Sequence, residues 1–259
     1  MNLNLNDKVF IVTGGSKGIG EAISRAIAAE GGTVVIASRS KGETESMVKE
    51  FQQAGLKSLG IVGDLQDTEL CKQVIEDTID HFGRIDGIVN NAGLNDGASL
   101  ESGPEAFRKS LNVNLHHYYD LVHYALPHLK ESKGSIVNIS SKVALTGQGG
   151  TSGYAAAKGA QLGLTREWAA ELYPFSIRVN AILPAEVMTP LYRKWLDTFP
   201  DPTAKEADIV SKIPLEKRMT TSAEIAAMAV FLLSDVSAHT TGQFMIVDGG
   251  YVHLDRALT

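Results

Sequence analysis

Short apolar runs alternate with longer amphipathic segments along the chain. The runs are Val9–Val12, Thr33–Ala37, Ser58–Val62, Ile85–Asn90, Ser135–Ser140, Ile177–Ile182 and Gln243–Val247. Each has strand length and is almost continuously apolar, as a parallel strand buried on both faces requires. Between them, Gly18–Glu30, Gly42–Ala54, Thr68–Phe82 and Gly153–Tyr173 repeat apolar residues every three or four positions, the period of a helix with one buried stripe. Strand and helix in alternation predict an α/β fold: a doubly wound, seven-stranded parallel sheet with helices on both faces. No linker, repeat or low-complexity tract divides the sequence, so one domain is expected over residues 1–259.

One stretch breaks the rhythm. Residues 188–214 carry four prolines, aromatic residues and many charges between a strand and a helix. An insertion there reads as a lid over a site, or else as a surface excursion.

Composition narrows the classes. The 259 residues are 44% hydrophobic, ample for one large core, and their formal net charge is −6. No basic surplus exists to neutralise phosphates, so nucleic acid is not an expected partner. The longest apolar stretch, Ala226–Leu233, is far short of the ~20 residues a membrane span needs. The opening residues have no apolar leader pattern, and the one cysteine, Cys71, suits a reducing cytoplasm. His116, His117, His123 and His128 fall in one helical stretch without a metal-ligand motif, so no metal is expected. Cys71 and Trp168 read as core residues.

The first strand runs into Thr13-Gly14-Gly15-Ser16-Lys17-Gly18-Ile19-Gly20 and then a helix. Gly14 permits the tight turn, Gly18 the approach of a pyrophosphate, and Gly20 close packing of the helix on the sheet. The helix start offers unpaired N–H groups and a positive dipole end to an anion. A carboxylate at the end of the second strand would select NAD. The chain instead reads Ser38-Arg39-Ser40-Lys41 there. Arg39, the serines and Lys17 suit a 2′-phosphate, which points to NADP. If Arg39 only stacks on adenine, NAD is accepted as well.

Tyr154 and Lys158 lie four apart at the start of a helical pattern, on one face. An ammonium beside a phenol favours the phenolate and should lower the tyrosine pKa. Such a phenol can exchange a proton with a substrate hydroxyl or carbonyl. Ser141 emerges at the carboxyl end of a strand, where ligands bind in such sheets. Taken alone, a Tyr–Lys pair is ordinary surface decoration.

The glycine turn, Asn90-Asn91-Ala92-Gly93, Asn114, Ser141, Tyr154-Ala-Ala-Ala-Lys158 and Asp248-Gly249-Gly250, in that order, resemble the short-chain dehydrogenase/reductase family over essentially the whole chain. The resemblance implies that Tyr154 is the general acid/base. Lys158 lowers its pKa and holds the nicotinamide ribose, Ser141 orients the reacting oxygen, and Asn114 holds a water that links Lys158 to solvent. It places Asp64 and the adjoining Leu65 at the adenine, Asn91 on the adenosine side, and the Ala92–Gly93 backbone against the cofactor. Pro184, Val187 and Thr189 match positions that bind the carboxamide, with Ala185 where the family has glycine. Family members are usually tetramers or dimers, and the Ala- and Gly-rich helix Gly153–Tyr173 offers a surface for a symmetry mate.

The residues expected to line the substrate site are polar: Asn95, Asp96, Lys142, Gln148, Glu186, Arg193, Tyr251 and His253, with Trp195 on the lid to stack on a sugar face. A steroid or acyl pocket would be mostly apolar. Glu186 suits sugar hydroxyls, or is a solvated loop acid. The variable parts, above all the tail 249–258, are similar to sugar dehydrogenases of the family, the L-fucose type in particular. The expected reaction is oxidation of an aldose at C1 to the lactone, with Ser141, Gln148, Tyr154, Glu186, Arg193 and Trp195 at the sugar. A 3-oxoacyl carrier-protein reductase is the alternative within the family. A non-catalytic NADP-binding sensor is the alternative outside it.

Overall fold

The computed structural model describes residues 3–254. The strands are β1 (Val9–Thr13), β2 (Thr33–Ser38), β3 (Ser58–Val62), β4 (Gly87–Asn90), β5 (Ser135–Ile139), β6 (Arg178–Pro184) and β7 (Phe244–Val247). They form one parallel sheet in the order β3-β2-β1-β4-β5-β6-β7. The helices are α1 (Gly18–Ala29), α2 (Lys41–Gln53), α3 (Thr68–Phe82), α4 (Gly103–Leu111), α5 (His117–Ser132), α6 (Ser152–Leu172), α7 (Pro190–Leu196), α8 (Pro202–Ser211) and α9 (Ser222–Leu233).

Period-two alternation sorts the core into two layers. On β1, Val9 and Ile11 join Val74, Leu121, Leu129 and Trp168 from α3, α5 and α6. Phe10 and Val12 join Ile23, Ile27, Met47 and Val230 from α1, α2 and α9 on the opposite face. Both sets are essentially inaccessible to water. Each such side chain contributes about 1.5–3 kcal/mol on burial. Cys71 and Trp168 are core residues, as expected. Asp67 caps α3 by accepting from the Glu69 N–H, and a Thr221–Glu224 capping box starts α9, so both helices begin at side chains that satisfy their first N–H groups.

Most strand ends differ from the sequence pattern by a residue or two, and two of these shifts have a clear cause or consequence. β4 begins at Gly87 rather than Ile85, because the Asp86 carboxylate accepts from the Val9 N–H at 2.8 Å in place of a backbone acceptor. β6 extends to Pro184, which pairs with Val247. The 188–214 segment holds two short helices, each opened by a side-chain cap (Thr189, Asp201) and a proline in its first turn. Leu196 and Ile213 anchor it in the interior.

The strand order reverses between β1 and β4. Connections from these two strands diverge to opposite sides, and a crevice opens at their carboxyl ends. The glycine turn, Asn91 and the β5–α6 connection all lie at that end of the sheet.

Candidate active site

The crevice is built first by Thr13. Its hydroxyl accepts from the N–H groups of Asn91 (2.8 Å) and Ala92 (2.9 Å) and donates to the Val89 carbonyl. The Asn91 amide donates back to the Thr13 carbonyl. These bonds lock the ends of β1 and β4 together. Gly14 turns the chain out of β1 at φ +62°, a region costly for residues with a Cβ. A Cβ on Gly20 would stand 2.2 Å from the Gly14 carbonyl oxygen, so α1 approaches the turn as only glycine permits. Gly18, at φ +55°, lies where a Cβ would touch Thr189, which brings the β6–α7 connection against the glycine turn. No side chain caps α1: its first residue is preceded by Lys17, which cannot accept a hydrogen bond. The N-terminal N–H groups beside Ile19 are therefore directed into the crevice with their dipole, a fit to a dinucleotide pyrophosphate.

At the end of β2 the Ser16 hydroxyl donates to Ser38 (2.9 Å), and Ser38 accepts from the Ser40 N–H. Lys17 pairs with Glu43 at 2.6 Å, and Arg39 stands 3.8 Å from Asp64, all four about half exposed. Asp64 also accepts from the Gln66 backbone and side chain, and Leu65 is buried beneath it.

Lys158 occupies the opposite wall. It is 3% exposed and has no carboxylate partner among the described residues. Its ammonium donates to the Ile139 carbonyl (2.7 Å), the Gln161 Oε1 (3.3 Å) and the Tyr118 hydroxyl (3.5 Å). The Tyr154 ring centroid is 5.5 Å away. Burial pulls the Lys158 pKa down to about 7. Tyr154 keeps part of its surface open, yet protein around its hydroxyl pushes the phenol up to about 12, opposed by a Ser141 hydrogen bond. The expected depression of the tyrosine pKa by Lys158 is thus not met in this structure. Desolvation outweighs an ammonium that is itself half-neutralised near pH 7 and turned toward β5. Asn114 is buried in a π turn over Asn112–His116, its Oδ1 accepting from Leu94 N–H and its Nδ2 donating to the Ser110 carbonyl.

A third wall adjoins Ser141. Lys142, on the next residue, pairs with Glu186, whose other oxygen accepts from the Tyr192 hydroxyl at 2.6 Å. The Lys142 ammonium sits 4.3 Å from the Tyr251 ring centroid. Lys142 and Glu186 side chains are only 11% and 13% exposed, so the pair is a buried one.

A family model described as enoyl-(acyl carrier protein) reductase matches residues 14–252. The chain is 37% identical over 252 residues to a 3-oxoacyl-[acyl-carrier-protein] reductase of Thermotoga maritima, covering 96% of this chain and 100% of that one. It is 38% identical over 245 residues to the L-fucose dehydrogenase of Bos taurus, covering 94% and 88%. This chain belongs to the short-chain dehydrogenase/reductase family. The crystal structure of Cj0485 dehydrogenase superposes with a TM-score of 0.94 at 47% identity, covering 100% and 99%. The protein is accordingly an oxidoreductase acting on CH–OH groups, in a family that binds NAD or NADP.

Within this short-chain dehydrogenase, Ser141, Tyr154, Lys158 and Asn114 converge around the β4 and β5 ends. Thr189 lies at the glycine turn, but its hydroxyl caps α7 through the Tyr192 N–H. Val187 is buried and bridges to Thr220, beyond the end of β6 at Pro184. Of the residues expected at the substrate, Glu186 is gathered into the buried wall. Arg193 is not: it is exposed and pairs with Glu206 of α8. Trp195 is 44% exposed and packs edge-on to Tyr192 and Phe199, and Gln148 is exposed in the β5–α6 connection. Asn95 and Asp96 close their own turn, accepting from Gly97 and Ala98 N–H groups. His253 is exposed, and tail residues 255–259 lie outside the described residues.

The sequence reading passed over Tyr192, Gln161 and Tyr118. Tyr118 sits in a run of histidines and tyrosines that reads as packing, and Gln161 falls in a buried helix stripe with Lys158, Thr165 and small or apolar residues. A buried glutamine on such a stripe demands a partner, and that demand was the available signal.

Proposed function

We propose that this protein oxidises a sugar, L-fucose or a similar aldose, at C1 to the lactone, with NADP as its preferred cofactor. The observation that carries the reading is the polar wall of Lys142, Glu186 and Tyr192 directly beside Ser141. Buried donors and acceptors reject substrates that leave them unpaired, which suits a polyhydroxylated ring and not an acyl chain. The similarity to an L-fucose dehydrogenase supports the same class. In this mechanism Ser141 steadies the C1 oxygen, and Tyr154 takes the C1 hydroxyl proton after yielding its own phenol proton to solvent, a step that burial of its hydroxyl makes costly. Lys158 holds the ribose side and Asn114 secures the neighbouring backbone. Glu186 and, from the lid, Trp195, with Gln148, meet the other hydroxyls, while Arg193 stays paired with Glu206. A nicotinamide bound there would accept the hydride leaving C1, with both electrons of that C–H bond. The lactone then opens in water.

NADP preference rests on Ser16, Lys17, Ser38 and Arg39 meeting at one rim, with a serine and no acid ending β2. The residues proposed around the rest of the cofactor are Gly14, Gly18, Ile19, Gly20, Asp64, Leu65, Asn91, Ala92, Gly93, Pro184, Val187 and Thr189. Gly159 and Gly163 on α6 have open space above them, in keeping with a homodimer or homotetramer packed through that helix. A cytoplasmic location accords with the single, unpaired Cys71.

The 37% identity to a 3-oxoacyl-[acyl-carrier-protein] reductase favours one second reading, reduction of a ketoacyl thioester. An acidic chain is poorly matched to an acidic carrier, which ranks it lower. A panel of aldoses, polyols and acetoacetyl thioesters, each with NADP and NAD, separates the two by nicotinamide absorbance. Aldose turnover with NADP is expected. Faster turnover of the thioester than of every aldose replaces the first reading by the second, and a preference for NAD removes the NADP assignment.

A further inference from the structure

Gln161 lies three residues after Lys158 on α6, on the same face, and is fully buried. Both ends of its side-chain amide are used. Nε2 donates to the Asn114 carbonyl at 2.8 Å, and Oε1 accepts from the Lys158 ammonium at 3.3 Å. The orientation is forced: reversing the amide would set an NH2 against an ammonium and an oxygen against a carbonyl. Its backbone is tied as well. The Gln161 carbonyl accepts from the Thr165 hydroxyl (2.7 Å), which accepts from the Asn138 amide of β5 (2.9 Å). Asn138 in turn accepts from Asn90 of β4. A continuous buried network therefore runs from the sheet to the ammonium.

We propose that Gln161 is a positioning residue of this active site: its amide joins the Asn114 carbonyl to Lys158 directly, and so sets both the place and the charge of the Lys158 ammonium. The physical reason is the shortage of acceptors. An ammonium without a carboxylate partner keeps its proton only as far as neutral dipoles replace water. Three such dipoles face Lys158, and Gln161 is the one supplied by a side-chain amide. The titratable groups facing the ammonium are Tyr154 on its own helix and Tyr118 on α5, with ring centroids at 5.5 and 5.7 Å. His117 on α5 also feels its charge and stays neutral down to about pH 4. Both tyrosines are pushed upward by burial. Between about pH 5 and 9, Lys158 is therefore the group of this cluster that changes charge.

The inference rests on Tyr154 and Lys158 acting as the acid–base pair, but its test reads Lys158 without turnover. In protein carrying lysine labelled with 13C at Cε, the Lys158 signal is assigned by its loss in Lys158→Met. Gln161→Leu removes the acceptor, and the Lys158 titration midpoint is expected to fall by about one pH unit. Gln161→Glu keeps the size and adds charge, and the midpoint is expected to rise by about one unit or more. With whichever substrate the panel yields, the pH profile of kcat moves in step while KM changes little. Should Gln161→Leu not fold, the near-isosteric Gln161→Glu decides alone. Midpoints within about 0.3 units of the parent in the folded variants overturn the proposal. Failure of the sugar reading would leave these titrations intact.

Discussion

The two walls of the crevice handle positive charge in opposite ways. At the β2 rim, where the adenosine half of the cofactor is proposed to sit, Lys17 and Arg39 are about half exposed and each faces a carboxylate, Glu43 or Asp64. Water and salt screen those pairs, so each can open to admit a phosphate at little cost. At the catalytic wall, Lys158 is buried and held by a carbonyl, an amide and a hydroxyl, and its pKa falls to about 7. The lysine side chains are identical; exposure and partner type make one a replaceable counter-ion and the other a tunable proton site. The Lys142–Glu186 pair lies between these extremes, buried like Lys158 but matched by an opposite charge.

That contrast is broken most sharply at Tyr154. Tyr154→Phe removes the phenol proposed to move the proton, and kcat is expected to fall by about 10³-fold. Cofactor affinity, followed by fluorescence titration, should stay close to the parent value. Parent-like turnover would assign the acid/base to another residue.

The buried ion pair comes next. Lys142→Met or Glu186→Leu alone leaves one charge without its partner, and each is expected to cost about 3 kcal/mol in urea unfolding. The double variant should lose less than the two single losses added together, because both charges then leave the interior. Single variants that unfold at the parent midpoint would show that this wall is open to water.

A smaller effect depends on pH. His117 is 1% exposed, its Nε2 is 3.2 Å from the Ala92 carbonyl, and burial lowers its pKa to about 4. The unfolded chain, with an ordinary histidine, binds the extra proton at higher pH. Stability is thus complete above about pH 6.5 and falls as pH drops toward 4, by up to about 3 kcal/mol from this group. The loss should shrink in His117→Asn, measured by thermal unfolding across that range. An unchanged slope would assign the acid sensitivity elsewhere.

The smallest effect sits at the rim. The Lys17 ammonium holds the Glu43 carboxyl below its usual range. Glu43→Gln frees Lys17 for a 2′-phosphate and should raise the NADP-to-NAD ratio of kcat/KM by about threefold, less at high salt. A ratio that does not move would place the 2′-phosphate away from Lys17.

Much of this molecule is legible in its residues one after another. Seven β-branched, almost continuously apolar runs specify parallel strands, because only a sheet covered on both faces can hide them; the edge strands β3 and β7 are only partly buried. The glycine turn is legible for a related reason: Gly14 takes a positive φ and Gly20 stands where the backbone itself leaves no room for a Cβ, constraints written in residue type. Tyr154 and Lys158 are legible through their spacing on one helix. What the sequence could not carry was any relation decided across elements. That Glu186 meets Lys142 and Tyr192, while Arg193 turns away to Glu206, depends on how α7 and α8 fold back over the β6 end. That Lys158 points to Ile139 and Gln161, leaving the Tyr154 phenol high, depends on how closely α6 packs on β5 and α5. Local sequence determines backbone conformation and which faces are apolar. The protonation states and partners of buried polar groups come from desolvation and from contacts distant along the chain, and those exist only once the layers have closed.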